Sequence, residues 1–186
     1  MTSPDRAALV FVGPMGAGKS SIAKKVAREL DREFTDTDTV VVRAHGPIPA
    51  LFESHGEAFF RAVEREAVVA ALATGGVVAL GGGAVLDAAT RADLAAHHVV
   101  LLTVSPDIVR ARIGGQNRPL LNDGDPIAQW RRIYAERHPL YEEVADVTFD
   151  SSTGHISAIA AAIAEWARAQ DTVPHAAPGT VSEGSE

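Results

Sequence analysis

The chain has 186 residues, a length that suits one domain with a sizeable core and leaves little room for a second. Its net charge of -7 and its lack of basic runs argue against a general affinity for nucleic acid or for anionic membranes. Because the chain contains no cysteine, disulfides, thiolate metal sites and cysteine nucleophiles are excluded, and a cytoplasmic location is expected.

The first predicted element is a strand that runs into a glycine-rich loop. Ala7 to Val12 is a continuous apolar run, which is typical of a buried parallel strand. It is followed by Gly13-Pro14-Met15-Gly16-Ala17-Gly18-Lys19-Ser20, and then by apolar residues at helical spacing up to Leu30. Strand, loop and helix in this order form the context that a P-loop needs, so the chain is predicted to bind a nucleoside triphosphate.

The residue types of this loop suit phosphate binding. Glycines bring backbone N–H groups close to a phosphate, and the start of the helix adds unpaired donors and a positive dipole end. Lys19 can reach the β- and γ-phosphates, and the Ser20 hydroxyl is a hard oxygen ligand suited to Mg²⁺. A glycine-rich turn that only joins strand to helix is the disfavoured alternative. The predicted nucleotide-binding residues here are Gly16, Ala17, Gly18, Lys19, Ser20 and Ser21.

A short second strand, predicted over Glu33 to Thr35, delivers Asp36 and Asp38 to the sheet edge that the P-loop also occupies. Two residues apart on a strand, the two side chains should point the same way. One carboxylate is predicted to hold Mg²⁺ through water, and the other to orient or deprotonate an acceptor hydroxyl. The alternative is that both are turn and cap residues, with Asp38 as a helix N-cap. Asp36 is favoured for the metal because the third strand ends in glycine, where many P-loop proteins place a magnesium-binding aspartate.

The remaining elements alternate between helix and strand, which predicts an α/β domain. Helices are predicted at Val40 to Ala44 with Thr39 as cap, Glu57 to Ala73, Asp87 to Ala96, Ser105 to Arg112, from Asp125 onward, and Ile156 to Ala167. A short segment, Ile48 to Ser54, is expected to stop at His55-Gly56, and Pro139 is expected to kink or restart its helix. Strands are predicted at Val77 to Leu80, Val99 to Val104 and Val147 to Phe149. Asp171 to Glu186 has the composition of a disordered tail.

Two loops and two arginines leave alternatives open. Gly81-Gly82-Gly83 is either a flexible turn or a bare surface for a ligand, and the nearby P-loop favours the ligand surface. Gly114 to Asp125 has the composition of a mobile lid, in which Arg118 is expected to contact phosphates on closure unless this is a plain surface loop. From position alone, Arg61 is an exposed helix ion pair with Glu57, and Arg137 belongs to a solvated charged face.

Several motifs together resemble the shikimate kinase family. They are Asp36-Thr37-Asp38, the helix motif Gly56 to Glu64, the turn Gly81 to Val85, the loop Asn117 to Leu121 and the segment Arg137 to Tyr141. The match runs from about Leu9 to Ala167 with every motif in order. This combination is much more specific than the P-loop, which many families share.

The resemblance implies a three-layer P-loop fold of the nucleoside-monophosphate-kinase type, with a five-stranded parallel sheet in the order 2-3-1-4-5, flanking helices and a mobile lid. A single kinase domain is expected over residues 1–170, with a substrate-binding segment at about 38–65 and the lid at about 114–125. The implied reaction is phosphorylation of the 3-hydroxyl of shikimate by ATP with Mg²⁺. Its products, shikimate 3-phosphate and ADP, lie on the chorismate route to aromatic amino acids.

The resemblance also implies residue roles. Asp38 matches the aspartate of the family that binds the substrate hydroxyls and is proposed as the base. Asp36 matches the aspartate that contacts Mg²⁺ through water. Arg61 and Arg137 match the pair that holds the substrate carboxylate, so both gain a functional role in place of a surface one. The other implied contacts are Gly82 and Gly83 against shikimate, Phe52 and Phe60 as walls of its pocket, Arg112 near the adenine, and Arg118 and Lys19 at the phosphates.

The nearest alternative is another small-molecule kinase of this fold, such as a gluconate kinase. A GTP-dependent switch is disfavoured because Asn-Lys-x-Asp is absent and no aspartate has glycine three positions on. A nucleotide-binding module without catalytic activity remains an alternative, because motifs identify the residues that a reaction needs and do not show that the reaction takes place. With no apolar run of about 18 residues and no basic stripe, no membrane or nucleic-acid partner is expected. The chain is also expected to be a monomer.

Overall fold

The computed structural model of the chain describes residues 7–113 and 125–171, and its centre is a five-stranded parallel sheet. The strands are β1 (Leu9–Val12), β2 (Phe34–Asp36), β3 (Val77–Ala79), β4 (His98–Thr103) and β5 (Val147–Asp150). Their order is β2-β3-β1-β4-β5, which confirms the order that the resemblance implied. The helices are α1 (Lys19–Glu29), α2 (Thr37–His45), α3 (Ile48–Leu72), α4 (Ala88–Leu94), α5 (Pro106–Ile113), α6 (Pro126–Val144) and α7 (Ile156–Asp171), with a 3₁₀ turn at Ala84–Leu86.

The sheet is the middle layer of three, because successive strand residues point to opposite faces. Leu9 and Phe11 of β1 pack in a buried apolar cluster with residues of α1, α7 and the start of α6. Val10 and Val12 pack in a second cluster with residues of α3 and α4 and with Tyr141, near the end of α6. The predicted three-layer α/β fold is therefore confirmed.

The register of the sheet brings the ends of three strands level. Asp36 pairs with Ala79 of β3, and Ala79 pairs with Phe11 of β1. The chain leaves β1 at Gly13, where a methyl group on the α-carbon would lie 2.3 Å from the carbonyl oxygen of Leu102. Only glycine fits there, so β4 packs directly against the start of the P-loop.

Asp36 and Asp38 do not share a strand, contrary to the sequence prediction. Asp36 is the last residue of β2, and its carboxylate caps α2 by accepting from the N–H of Thr39 at 2.9 Å. Asp38 lies in the first turn of α2, which begins at Thr37. The buried Thr37 hydroxyl donates to the carbonyl of Ala79 and accepts from the N–H of Gly81. This bridge to the end of β3 starts the helix earlier than predicted, and Asp36 is the cap in place of Thr39 or Asp38.

The predicted interruption at Gly56 is confirmed, whereas a restart at Pro139 is wrong. Gly56 has φ 79° and ψ 173° within α3, a conformation that separates the helix into two segments at a kink. Helix α6 continues through Pro139 to Val144.

The predicted tail and lid lie mostly outside the described residues. Asp171 is the last residue of α7, so the tail does not begin there as predicted. Asp125, the last residue of the predicted lid, caps α6 by accepting from the N–H of Ile127. Within the ranges 7–113 and 125–171, no helix has both the length and the apolar character needed to cross a bilayer.

Candidate active site

The P-loop wraps around the start of α1. Gly16 and Gly18 have φ values of 84° and 80°, and Gly18 is the N-cap of α1. These left-handed conformations suit glycine and turn the loop onto the helix axis. The ammonium group of Lys19 donates to the carbonyls of Gly13 at 2.8 Å and Pro14 at 3.0 Å. The positive φ angles of its glycines and the bonds from Lys19 to its carbonyls therefore fix the conformation of the loop around the lysine ammonium group.

The two residues predicted to hold Mg²⁺ are in contact. The Ser20 hydroxyl, in the first turn of α1, donates a hydrogen bond to Oδ2 of Asp36. Hydroxyl and carboxylate oxygens are hard donors, and Mg²⁺ in nucleotide enzymes takes few protein ligands beside phosphate and water. In the described part of the chain, no cluster of three or more His, Cys, Asp or Glu residues is placed to hold a metal. The pair fits a magnesium ion that is shared with a nucleotide.

Arg112 spans two segments at the nucleotide side. Its guanidinium donates to the carbonyl of Gly16 at 2.8 Å and to that of Ser151 at 3.1 Å. Ser151 directly follows β5, so Arg112 links the P-loop to the carboxyl end of the edge strand. Ser21 is exposed in the first turn of α1, and Ala17 is buried beneath the loop.

Helix α6 contacts the P-loop from the other side. The indole N–H of Trp130, which is buried, donates to the carbonyl of Met15 at 3.0 Å. Its ring stacks on Tyr134 with the centroids 5.0 Å apart. The sequence does not predict this contact, because the spacing places Trp130 only on an apolar helix face.

Two carboxylates meet at Gly81, which follows β3. A methyl group on Gly81 would lie 2.6 Å from Oδ1 of Asp38 and 2.7 Å from Oε1 of Glu64. Glu64 is almost fully buried. Burial raises the pKa of the Glu64 carboxyl above its ordinary value; Arg61 opposes the rise, Asp38 adds to it and Arg137 opposes it. Glu64 therefore lies between one acid and two arginines.

Arg61 covers the glycine turn. Its guanidinium pairs with Glu64 at 2.6 Å and with Glu57 at 3.0 Å, so the predicted contact with Glu57 is present. A methyl group on Gly83 would lie 2.2 Å from its Nη1 atom. Burial alone would lower the pKa of Arg61, but Glu64 and Glu57 together raise it, so the group stays cationic. Arg61 is a half-buried cation at the turn, not a surface charge.

Arg137 is also buried, with 7% of its surface exposed, which contradicts the reading from position alone of a solvated charged face. Its guanidinium lies beside the hydroxyl of Tyr141 and interacts electrostatically with it. Its Nε atom has no hydrogen-bond partner within the described residues. A buried guanidinium with a spare donor suits an anionic ligand.

Two phenylalanines lie beside these charges. Phe52 and Phe60 are in contact, with ring centroids 4.8 Å apart, in the small apolar cluster between α2 and α3. The guanidinium carbon of Arg61 lies 5.2 Å from the centroid of Phe60. Phe60 therefore supplies an apolar face next to the cation.

The structure thus gathers Asp38, Arg61, Arg137, Gly82 and Gly83 around Glu64 and the end of β3. Gly82 is next to the P-loop, since a methyl group there would lie 3.5 Å from the carbonyl of Gly13. Arg118 lies outside the described residues, so its place in the site stays a prediction. Glu64 and Tyr141 were not predicted as site residues. The signals that could have found them are a carboxylate in the apolar stripe of α3 and a tyrosine one turn after Arg137.

Chemically, the site offers a phosphate-binding loop beside an anion-binding pair and a carboxylate. The loop with Ser20 and Asp36 suits a triphosphate and its metal, while the two guanidiniums suit a carboxylate on a second molecule. Asp38 can accept a hydrogen bond from a hydroxyl of that molecule. Such a set can perform phosphoryl transfer, which depends mainly on placement and on charge neutralisation.

Comparison with known proteins agrees with this chemistry. The family model described as shikimate kinase matches residues 15–168. A shikimate kinase of Streptomyces avermitilis is 49% identical over 140 residues, which cover 74% of this chain and 81% of that protein. One of Halorhodospira halophila is 42% identical over 168 residues, covering 87% and 94% of the two chains.

Solved structures give the same result. The shikimate kinase of Acinetobacter baumannii in complex with shikimate superposes with a TM-score of 0.84 and 34% identity, covering 89% of this chain and 94% of that one. A gluconokinase from Sinorhizobium meliloti has a TM-score of 0.51 and 19% identity, covering 88% and 97%, a likeness of fold alone. The family match, the relatives and the site geometry agree, and the chain belongs to the shikimate kinase family.

Proposed function

We propose that the chain transfers the γ-phosphoryl group of ATP to the 3-hydroxyl of shikimate, giving shikimate 3-phosphate and ADP, as a cytoplasmic monomer in chorismate biosynthesis. The observation that carries the proposal is the convergence of Arg61, Arg137 and Asp38 on the glycine turn beside the P-loop. A small ring with one carboxylate and several hydroxyls needs cations at one end and an acceptor at the other.

The substrate carboxylate would be held by Arg61 and Arg137. Both are at least partly buried; Arg61 is paired with Glu64, and Arg137 lies beside the hydroxyl of Tyr141. Charge-assisted hydrogen bonds are stronger in such a partly desolvated site, so binding would fix one end of the ring. Phe52 and Phe60 would cover an apolar edge of it.

Asp38 would act on the acceptor hydroxyl. A hydrogen bond from this hydroxyl to the Asp38 carboxylate would orient its oxygen toward the γ-phosphorus. As the new oxygen–phosphorus bond forms, the bond from the γ-phosphorus to the bridging oxygen of ADP breaks, and Asp38 takes the hydroxyl proton.

On the nucleotide side, Lys19 and the P-loop N–H groups would bind the phosphates, and Arg112 would lie near the adenine. Ser20, and Asp36 through water, would hold Mg²⁺, which supplies charge neutralisation at the β- and γ-oxygens when bound. Arg118 would complete the site from the lid and help to exclude water.

A coupled ADP assay with shikimate, gluconate and nucleoside monophosphates tests the proposal. We expect ATP- and Mg²⁺-dependent ADP release with shikimate and far less with the other acceptors. Asp38→Asn should lower kcat by about 100-fold or more and leave the affinity for ATP unchanged. Faster turnover with gluconate than with shikimate would overturn the assignment, and ATP binding without turnover on any acceptor would identify a silent nucleotide-binding module.

A further inference from the structure

Tyr141 connects two parts of the acceptor site that lie far apart in the sequence. Its hydroxyl donates to the carbonyl oxygen of Gly82, which follows β3, and the guanidinium of Arg137 lies beside the same hydroxyl. Tyr141 is 1% exposed, so water does not compete for these two contacts. One neutral side chain therefore joins the glycine turn to a predicted carboxylate-binding arginine.

The hydroxyl is suited to this double role. Burial raises the pKa of Tyr141 to about 12, although Arg137 alone would lower it. The hydroxyl therefore keeps its proton at any pH at which the enzyme is assayed, and it can donate and accept at the same time. A phenolate would lose the donor to Gly82.

The bond to Gly82 also sets the direction of a backbone donor. In a trans peptide the carbonyl of one residue and the N–H of the next are antiparallel, and the chain has no cis peptide bond within the described residues. Fixing the Gly82 carbonyl toward α6 therefore turns the N–H of Gly83 away from α6. The hydroxyl of Tyr141 thus orients a guanidinium and a peptide together.

We propose that Tyr141 is a positioning residue: it holds the Arg137 guanidinium and the Gly82–Gly83 peptide in the orientation that binds the carboxylate-bearing acceptor. This inference rests on the proposed function, because it assigns Tyr141 to the acceptor side of the same site. Tyr141 does not touch the reacting atoms; it acts through Arg137 and Gly82.

The test compares Tyr141→Phe with Tyr134→Phe. Tyr134 lies on the same helix, stacks on Trp130 and contacts the His138 ring at a tilt, and no hydrogen bond of its hydroxyl is found among the residues that the structure describes. Both substitutions remove one oxygen and keep the ring. We expect Tyr141→Phe to raise the KM for shikimate by about tenfold, with kcat within a factor of about three and the KM for ATP unchanged. Tyr134→Phe should match the parent protein in all three values.

Each result is decisive. An unchanged KM for shikimate in Tyr141→Phe, while the parent enzyme is active, overturns the inference alone. Equal losses in both KM values and in kcat, with a lower melting temperature, would show a general packing role and also overturn it. A parent enzyme that releases no ADP with shikimate removes the proposed function and this inference with it. A crystal structure of Tyr141→Phe should show the Arg137 guanidinium or the Gly82 carbonyl rotated away from its present position.

Discussion

The guanidinium of Arg61 lies over the α-carbon of Gly83, so closely that a methyl group there would be 2.2 Å from Nη1 and 2.8 Å from Cζ. Gly83 has φ -99° and ψ -7°, a conformation that alanine adopts without strain. Glycine is therefore needed at this position for space and not for backbone freedom. The turn was predicted as a bare surface for a ligand, and at Gly83 part of that surface is covered by the arginine itself.

Gly83→Ala should displace the Arg61 guanidinium without unfolding the protein, because the contacted atoms are the end of a flexible side chain. We expect the KM for shikimate to rise by roughly 10-fold to 100-fold, since small misplacements of a binding group have effects of that size. The melting temperature should change little. Steady-state kinetics and thermal unfolding of the same preparation measure both.

A double substitution separates displacement of Arg61 from direct blocking of the substrate. In an Arg61→Ala background, Gly83→Ala should add almost nothing to the KM, because the displaced group is absent. A full additional increase would mean that the new methyl group touches the substrate.

The positions of individual strands and loops could be predicted from the sequence. The order in which the strands pair, and the distant residues that each element contacts, could not. The apolar run before Gly13 and the glycine spacing after it indicate a buried strand and a P-loop without reference to distant residues. The strand order came only from the family resemblance, since periodicity carries no information on which strands pair. Likewise, α2 starts at Thr37 because this residue bonds to Ala79, 42 positions away.

The same limit applies to the site. From position alone, Arg61 and Arg137 are surface cations, because each lies among charged residues of its own helix. Their burial depends on Glu64 and Tyr141, whose packing is set by the meeting of α3 and α6 with the end of β3. Only the resemblance supplied their roles in advance.

Glu64 should make the stability of the protein depend on pH. Burial raises the pKa of its carboxyl in the folded state, so folding favours the protonated form. The resulting stabilisation is complete below the ordinary pKa of 4.5 and is lost as the pH rises through the raised value. In Glu64→Gln the side chain does not titrate. The free energy of unfolding of the parent, relative to this variant, should therefore fall with rising pH.

Urea unfolding from about pH 4.5 to about pH 8 measures this difference. Glu66→Gln, which removes an exposed carboxylate from the same helix, is the control and should leave the pH dependence unchanged. A pH-independent difference between the parent and Glu64→Gln would show that the carboxyl is not desolvated in solution.

Asp36→Asn should weaken the response to Mg²⁺ more than it weakens the fold. Asparagine is as good an N-cap as aspartate, so the bond to the N–H of Thr39 can persist. The anionic partner of the Ser20 hydroxyl is lost, and the Mg²⁺ concentration for half-maximal activity should rise by about tenfold or more. A magnesium titration at saturating ATP and shikimate measures the change.

Asp87→Asn is the matched control for this substitution. Asp87 caps α4 through the N–H of Thr90 at 2.8 Å, as Asp36 caps α2, but it belongs to none of the nucleotide-binding segments. Its variant should keep the magnesium dependence of the parent. If both variants shift equally, the effect of Asp36→Asn comes from general loss of charge and not from a metal contact.

Trp130 should report nucleotide binding by its fluorescence. Its indole N–H is bonded to the carbonyl of Met15 within the P-loop, so a phosphate that reorders this backbone changes the surroundings of the ring. The chain has 2 tryptophans, and the other, Trp166 on α7, contacts His98 at the opposite end of β4 from the loop. In Trp166→Phe, addition of ATP should therefore change the emission about as much as in the parent. In Trp130→Phe the response should be nearly absent, and the KM for ATP should rise by a few fold because Met15 loses its donor. A response that survives in Trp130→Phe and disappears in Trp166→Phe would show that α7, and not the contact of α6 with the P-loop, follows the nucleotide.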